Sequence, residues 1–331
     1  MGISYKESGV DIIAGNNVIK KITPLVKSTY NENVLSELGH FGGLYDAKFS
    51  DYSHPVLVSS ADGVGTKLKI AFMMDRHNTI GQCLVNHCVN DILCCGAKPL
   101  FFLDYFASGK LLEGVTESVI EGFVTACRQN GVALIGGETA EMPSMYNAGE
   151  YDVSGTIVGV VEKEKILNGT NIKHGDLLIG LRSTGLHTNG YSLARTVLLP
   201  KFALDKYFDE LGKTLGESLL EIHRSYLKIV WQLLELNLIK GISHITGGGI
   251  VGNTKRILPK GTSLNIDWDS WKMLPIFKLI QESGRIEKDE MRYVFNLGIG
   301  MILIADKLHT DKILELCSDV NPVIIGEINT H

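Results

Sequence analysis

Apolar and polar residues recur along this chain with two periods, and the first half is therefore expected to mix helices and strands. Apolar positions spaced three and four residues apart predict amphipathic helices over 18–26, 80–95 and 113–129. Runs rich in β-branched and aromatic residues predict strands at 56–58, 100–107, 132–135 and 151–161. Glycine followed by proline after residue 95, and Asn130-Gly131, are typical helix stops.

The second half repeats this mixture after a charged, turn-rich segment at 162–176. Strands are predicted at 177–181, just before His244, at 302–305 and at 323–328. Helices are predicted from about 193, over 219–236, after the glycines at 247–249, and over 273–282 and 311–317. At 331 residues the chain exceeds one typical core, and we expect an α/β (α+β) protein with domains 1–168 and 169–331.

The segment 56–71, VLVSSADGVGTKLKIA, is the most unusual stretch. A short apolar strand is expected to lead into a polar loop that contains Asp62, Gly63, Gly65, Thr66 and Lys67. Glycines allow backbone N–H groups to approach an anion, lysine adds a positive charge, and a carboxylate can ligate a divalent cation. The segment therefore predicts a site for a nucleotide phosphate and its magnesium ion, although it matches neither a Walker A loop nor a Rossmann fingerprint.

Three further acids of the first half have suggestive positions. Asp91 lies on the helix predicted at 80–95, and Glu138 and Glu141 follow two glycines at a predicted strand end. Acids at strand ends of an α/β domain project toward the edge where ligands bind, and two or three carboxylates are a normal magnesium ligand set. The alternative is that each acid caps a helix or lies on a solvated face.

Two segments of the second half could carry chemistry. Thr246, Gly247, Gly248 and Gly249 precede a predicted helix, where free N–H groups could hold an anion, but a triple glycine can also be a plain turn. His187 lies in a loop dense with hydroxyl groups, where it could transfer a proton or be an ordinary loop histidine.

Charge and composition exclude several classes of function. The net charge of −5 gives no basic field for nucleic acid or an anionic membrane, and no apolar run reaches the length of a membrane span. The N-terminal segment has no basic-then-apolar signal pattern, and a cytoplasmic protein is expected. The six cysteines have no zinc-finger spacing, so free thiols in a reducing compartment are favoured over a metal or redox cluster.

Several longer strings resemble one enzyme family. They are DGVGTKLK at 62–69, CVNDILCCGAKPLFFLDYFASGKL at 88–111, GGETAEMPSMY at 136–146, GLHTNGYSLAR at 185–195, HITGGG at 244–249 and FNLGIGM at 295–301. In this order, and over nearly the full chain, they are similar to the phosphoribosylformylglycinamidine cyclo-ligase (AIR synthetase) family. DGVGTK and VND also fit a wider ATP-binding superfamily, whereas GGETAEMP and GLHTNGYS are specific to the cyclo-ligases.

The resemblance implies two α/β domains, with the N-terminal domains forming a homodimer. It also implies the reaction of formylglycinamidine ribonucleotide (FGAM) with ATP and Mg²⁺ to give aminoimidazole ribonucleotide (AIR), ADP and phosphate. ATP would phosphorylate the formamide oxygen, and the amidine nitrogen would then attack that carbon and displace phosphate.

Site residues follow from the same resemblance. The implied magnesium ligands are Asp62, Asp91 and Glu138, and the implied catalytic residues are His187, Asp62 and Lys67. The implied ATP- and substrate-binding residues are Gly63, Gly65, Thr66, Lys67, Asn90, Thr139, Glu141, Asn189, Thr246, Gly247 and Gly248.

Two other functions remain open from the residues alone. One is a different ATP-dependent phosphotransferase of the superfamily, and the other is a protein that binds ATP and magnesium without chemistry. His244 stands where selenophosphate synthetases have an acid, and no cysteine precedes Cys83. Both differences favour the cyclo-ligase.

Overall fold

The computed structural model describes residues 7–112 and 114–330. The start of the chain, where no signal pattern is predicted, and Glu113, the first residue of a predicted helix, lie outside the described residues. The chain divides into two compact units. Unit 1 contains the described residues up to Ile92 together with Lys98–Lys163, and unit 2 contains Leu93–Ala97 and the chain from Glu164 onward.

Unit 1 is built from four helices and four strands among its described residues. The helices are α1 (Ile12–Lys27), α2 (Leu68–Met74), α3 (Asn78–Leu93) and α4 (Val115–Asn130). The strands are β1 (Pro55–Gly63), β2 (Lys98–Ser108), β3 (Ala133–Glu141) and β4 (Tyr151–Glu162). A 3₁₀ helix, Gly65–Lys67, joins β1 to α2.

The strands of unit 1 form one mixed sheet in the order β1-β4-β2-β3. β4 is antiparallel to both β1 and β2, whereas β2 and β3 are parallel. Consequently β1, β2 and β3 run in the same direction and end at the same edge of the sheet. Phe102 and Phe106 of β2 are fully buried on one face, where Phe102 approaches Phe123 of α4.

Unit 2 contains seven helices and seven strands among its described residues. The helices are α5 (Tyr191–Leu198), α6 (Leu215–Leu219), α7 (Leu227–Glu235), α8 (Gly249–Thr254), α9 (Pro275–Gly284), α10 (Lys288–Val294) and α11 (Thr310–Leu316). The strands are β5 (Leu177–Arg182), β6 (Tyr207–Phe208), β7 (Lys213–Thr214), β8 (Gly241–His244), β9 (Thr262–Ile266), β10 (Ile299–Ala305) and β11 (Val323–Thr330).

The main sheet of unit 2 is antiparallel, in the order β8-β10-β5-β11-β9. Every residue of the central strand β10 is buried, which is expected of an apolar strand covered on both faces. β10 is antiparallel to its neighbours β5 and β8, so the ends of β5 and β8 and the start of β10 meet at one edge of the sheet. Among the described residues of the whole chain, no helix is long and apolar enough to cross a membrane.

Most predicted elements are confirmed, but one helix is wrong. The predicted helix 219–236 is interrupted: α6 ends at Leu219, residues 221–226 are irregular, and α7 starts at Leu227. The irregular segment buries His223 and Tyr226 completely. In this conformation His223 is bonded to His244 and the Tyr226 hydroxyl group donates to the Arg182 carbonyl, and such satisfied burial outweighs a local helical pattern.

Two strands are longer than expected. The polar loop predicted from Asp62 is wrong at its start, since Asp62 and Gly63 still pair with β4 as part of β1. Likewise β3 continues through Glu138 to Glu141. In both cases, pairing with the neighbouring strand extends the strand into polar and glycine residues, which have low strand propensity on their own.

Candidate functional site

Asp62 and Asp91 form the main acidic pair of unit 1. Asp62 lies near the end of β1, and Asp91 lies on α3. The Ser60 hydroxyl group is 3.2 Å from Asp91 Oδ2 and 3.5 Å from Asp62 Oδ2. His87 Nε2 is 3.5 Å from Asp62 Oδ1 and 3.6 Å from Asp91 Oδ2. The helix and the strand therefore bring two carboxyl groups, a hydroxyl group and an imidazole together.

The close approach of the two carboxyl groups changes their ionisation. Burial of Asp62, followed by the hydrogen bond to and the charge of Asp91, raises the pKa of Asp62 to about 7. Two carboxylates at this distance repel one another unless one is protonated or a cation lies between them. Hard oxygen ligands of this kind fit Mg²⁺.

Glu138, the third predicted magnesium ligand, is not adjacent to this pair within unit 1. Asp62 is on β1 and Glu138 on β3, the two edge strands of the four-stranded sheet. Three strand spacings place their backbones about 14 Å apart. Glu138 instead lies near Asp104 of β2: burial, with a smaller contribution from the charge of Glu138, raises the pKa of Asp104 to about 7.

Glu141 and Thr139, both predicted to bind ATP or substrate, lie on β3 beyond Glu138. Glu141 Oε2 accepts the backbone N–H of Asp11 at 2.7 Å, and Oε1 accepts the N–H of Leu111 at 2.9 Å. Asp11 in turn caps the start of α1. The observed contacts of the Glu141 carboxylate thus anchor the N-terminal end of that helix.

Lys67 and Asn90 are fully buried inside unit 1. Lys67 Nζ lies 3.1 Å from the Cys83 sulfur. By contrast, Gly65 and Thr66 are exposed where the 3₁₀ turn begins, and Gly65 has the positive φ of 55° that favours glycine. In this conformation the exposed part of the turn, not the lysine ammonium group, is accessible to an anion.

In unit 2 the predicted residues gather at the sheet edge where β5 and β8 end. His187 and Asn189 lie between β5 and α5, and Thr246, Gly247 and Gly248 lie between β8 and α8. Asn189 Oδ1 is 3.3 Å from the position that a Cβ atom on Gly247 would occupy. The two loops are therefore in contact.

Three buried histidines lie at this edge. The His187 and His223 rings are stacked, with centroids 4.0 Å apart and planes 21° from parallel. His223 Nε2 is 3.0 Å from His244 Nε2. One nitrogen of each ring lies within 4.8 Å of the others. His187 therefore contacts His223 through the ring face, whereas His223 and His244 are joined by a hydrogen bond.

A buried asparagine joins the His187 loop to the start of β10. Asn296 Oδ1 accepts the Ser183 hydroxyl group at 3.0 Å and the Gly298 N–H at 2.8 Å, and its Nδ2 donates to the Gly185 carbonyl at 2.9 Å. These bonds attach the first residues of the loop that carries His187 to the segment that precedes β10. Asn296 is therefore part of the support of the site.

A second buried asparagine holds the glycine turn. Asn253 Nδ2 donates to the carbonyl oxygens of Thr246, Gly247 and Gly249, and its Oδ1 accepts the Thr246 hydroxyl group. This side chain replaces the backbone partners that a tight turn leaves without bonds. α8 itself has only six residues, and the Asn253 side chain adds four hydrogen bonds to the backbone bonds of the turn.

The sequence alone did not predict several residues that contact the acidic pair of unit 1 or the histidines and loops of unit 2. Ser60 and His87 contact the acidic pair, and His223, Asn253 and Asn296 support the second cluster. A usable signal existed for His87, which lies four residues before Asp91 and so on the same helix face. His223 was hidden inside the wrongly predicted helix.

The six cysteines are all free, and four of them are buried. This confirms the expectation of free thiols. Burial, with a smaller contribution from the charges of Asp62 and Asp91, raises the pKa of the Cys88 thiol well above its ordinary value. Cys88 is therefore a neutral packing residue next to the acidic pair.

Comparisons with known proteins cover almost the whole chain. Residues 46–161 match the family described as AIR synthase related protein, N-terminal domain, and residues 173–331 match its C-terminal domain. A phosphoribosylformylglycinamidine cyclo-ligase of Geotalea daltonii is 51% identical over 330 residues, covering 98% of this chain and 95% of that protein.

Solved structures with the same fold are more distant in sequence. Thiamine-monophosphate kinase from Stenotrophomonas maltophilia aligns with a TM-score of 0.71 at 16% identity, covering 94% of this chain and 93% of that one. The hydrogenase maturation protein HypE, solved in complex with ATP, aligns at 0.68 and 17%, covering 98% and 88%. These similarities confirm the predicted α/β fold, and the relatives at about half identity confirm that the chain belongs to the phosphoribosylformylglycinamidine cyclo-ligase family of ATP-dependent ligases.

Proposed function

We propose that this protein converts FGAM and ATP to AIR, ADP and phosphate, the ring-closing step of purine biosynthesis. The observation that carries the proposal is the 51% identity over 98% of the chain to a named cyclo-ligase. The site geometry is consistent with it, since unit 1 offers an acidic pair for a metal–nucleotide complex and unit 2 offers polar loops and imidazoles for a substrate.

The chemistry needs activation of a poor leaving group. The γ-phosphoryl group moves from ATP to the formamide oxygen, breaking the bond to ADP. The amidine nitrogen then attacks the formyl carbon and gives up its proton to solvent, and the carbon–oxygen bond breaks to release phosphate. Little covalent participation by the protein is required, so its contribution is positioning and charge stabilisation.

Asp62 and Asp91 are the proposed ligands of Mg²⁺. Their shared surroundings, with the Ser60 hydroxyl group between them, supply the oxygen donors that this ion prefers. When bound, the ion would neutralise phosphate charge. Glu138 is proposed as a more distant acid of the same site. The backbone of Gly63, Gly65 and Thr66 is proposed to lie near the nucleotide phosphates.

In unit 2, His187 and Asn189 are proposed to contact the reacting substrate, and Thr246, Gly247 and Gly248 to contact a phosphate group. The contact between the Asn189 side chain and Gly247 supports a common site. Lys67 is proposed to act on phosphate only after leaving its buried position beside Cys83.

A homodimer through the unit 1 sheet is also part of the proposal. The sheet face opposite Phe102 carries Leu57, Phe101, Leu103 and Val158, all exposed or only half-buried, and Leu57 is 63% exposed. An apolar sheet face of this kind is normally covered. A second copy of the chain is the occupant that the family resemblance implies.

The test of the function is turnover by the purified protein. FGAM with Mg-ATP should give AIR and one equivalent of ADP. Thiamine monophosphate and selenide serve as alternative acceptors. ATP turnover with one of those but not with FGAM would contradict the cyclo-ligase proposal and favour another phosphotransferase.

A further inference from the structure

His223 contacts the proposed site but is not one of the residues predicted for it from the sequence. It lies in the irregular segment between α6 and α7 and is completely buried. Its ring is stacked on His187 at a centroid distance of 4.0 Å. One whole face of the His187 imidazole is therefore covered by a second imidazole.

The orientation of His223 is itself determined by bonds at both ring nitrogens. Nε2 lies 3.0 Å from His244 Nε2, and Nδ1 lies 3.4 Å from the Thr188 hydroxyl group. Two ring nitrogens in contact share one hydrogen, so one donates and the other accepts. His244 is the last residue of β8 and pairs with Met301 of β10. The bond to His244 therefore attaches the His223 ring to the sheet, although His223 itself lies in an irregular segment.

His187 is restrained on its remaining sides. The Thr184 N–H donates to His187 Nε2 at 3.3 Å, which in the neutral ring places the hydrogen on Nδ1. At the edge of the ring, a Cβ atom on Gly300 would lie 2.5 Å from His187 Cε1, so only glycine allows this approach. The His187 backbone has a φ of 63°, an uncommon value for a residue with a side chain.

These contacts differ from what a free general base would have. The Nε2 lone pair of His187 already accepts a hydrogen bond from Thr184, and tilting the ring out of its plane would separate the stack with His223. The arrangement is one in which a neutral imidazole is held in a single tautomer and a single orientation.

We infer that His223 is a positioning residue of the cyclo-ligase: through the stack it clamps the His187 ring in the orientation in which Nε2 accepts the Thr184 N–H and Nδ1 carries the hydrogen. This inference rests on the proposed function for its effect on turnover. The clamp itself is a property of unit 2 and can be observed without substrate.

The test compares two variants that separate stacking from hydrogen bonding. His223→Phe keeps a planar ring over His187 and loses the bonds to His244 and Thr188. His223→Asn keeps a polar group and loses the stack. His174→Asn, at an exposed histidine of the same unit, is the matched control.

We expect the kcat of His223→Phe to exceed that of His223→Asn at least fivefold per folded molecule, with the KM for ATP within twofold of wild type in both. The control should match wild type. Equal kcat values for the two variants, or a loss that only follows the folded fraction measured by circular dichroism, would overturn the clamp.

The second readout is the ¹⁵N spectrum of the histidine rings without substrate. In wild type and His223→Phe, His187 should give the pattern of one neutral tautomer with hydrogen on Nδ1, and in His223→Asn it should average between tautomers. An unchanged His187 pattern in His223→Asn would overturn the inference. If wild type fails to convert FGAM, the proposed function fails, while this spectrum still decides on the clamp.

Discussion

The carboxyl groups of Asp62 and Asp91 share two neighbours, the Ser60 hydroxyl group and the His87 ring. One acid comes from a strand and the other from a helix, and burial together with the neighbouring Asp91 raises the pKa of Asp62 to about 7. This arrangement is the basis for the proposal that the pair binds Mg²⁺.

Asp62→Asn removes the negative charge of one proposed magnesium ligand and keeps the shape of the side chain. We expect turnover of FGAM to fall at least about tenfold, with little change in thermal stability. Asp51→Asn, which removes an exposed carboxylate of the same unit, is the control. Near-normal turnover in Asp62→Asn would refute the metal role.

Magnesium binding should depend on pH because the ion and a proton compete for the same pair. Below a pH of about 7, the value to which the pKa of Asp62 is raised, the pair holds a proton in the folded protein. Mg²⁺ must then expel it, so the affinity should rise as the pH increases toward 7 and level off above.

Calorimetric titration in two buffers of different ionisation enthalpy measures this proton release directly. Wild type at pH 6 should release close to one proton, and Asp62→Asn should release far less. An affinity for Mg²⁺ that is independent of pH between 5 and 8 would contradict the shared site.

Asp104 should make the protein less stable as the pH rises. Its pKa is raised, by burial and then by Glu138, from 3.8 to about 7. Between these values the unfolded chain has lost the proton that the folded protein keeps. The stabilisation is therefore complete below pH 4 and is lost as the pH rises through 7.

Asp104→Asn replaces the protonated acid by a neutral group of similar shape. The free energy of unfolding should then vary less with pH between 4 and 7. The reduction in slope is at most about 1.4 kcal/mol per pH unit, the value for one proton. Urea unfolding at several pH values measures the slope. Asp152→Asn, at an exposed acid of the same sheet, should keep the wild-type slope, and an equal slope in Asp104→Asn would disprove the assignment.

The apolar sheet face of unit 1 predicts a dimer that a single charge can weaken. Leu57→Glu introduces a carboxylate at the exposed position on β1 and should increase the dissociation constant of the homodimer at least tenfold. Sedimentation velocity over a concentration series measures it. Leu308→Glu alters an exposed leucine of unit 2 and should leave association unchanged, whereas a monomeric wild type would exclude the proposed dimer.

Local pattern was sufficient for most of the fold. Helix α4 and strands β2 and β4 follow from apolar spacing and β-branched runs, because these patterns match the period of a buried helix stripe or strand. Residues 219–236 have an equally good helical pattern, yet the chain is irregular between α6 and α7. Burial of His223 and Tyr226 decides that segment, and a local pattern contains no information about it.

The sequence by itself determined the family, the α/β class, and the acid, glycine and histidine motifs, because these depend on residue identity and order. Only the tertiary structure decided which motif residues meet. It pairs Asp62 with Asp91, places Glu138 on the opposite edge strand, buries Lys67 beside Cys83, and stacks His223 on His187. The physical reason is that such contacts depend on strand order, on the helix face that meets the sheet, and on the burial of polar groups with their partners, all of which arise between segments distant in the chain.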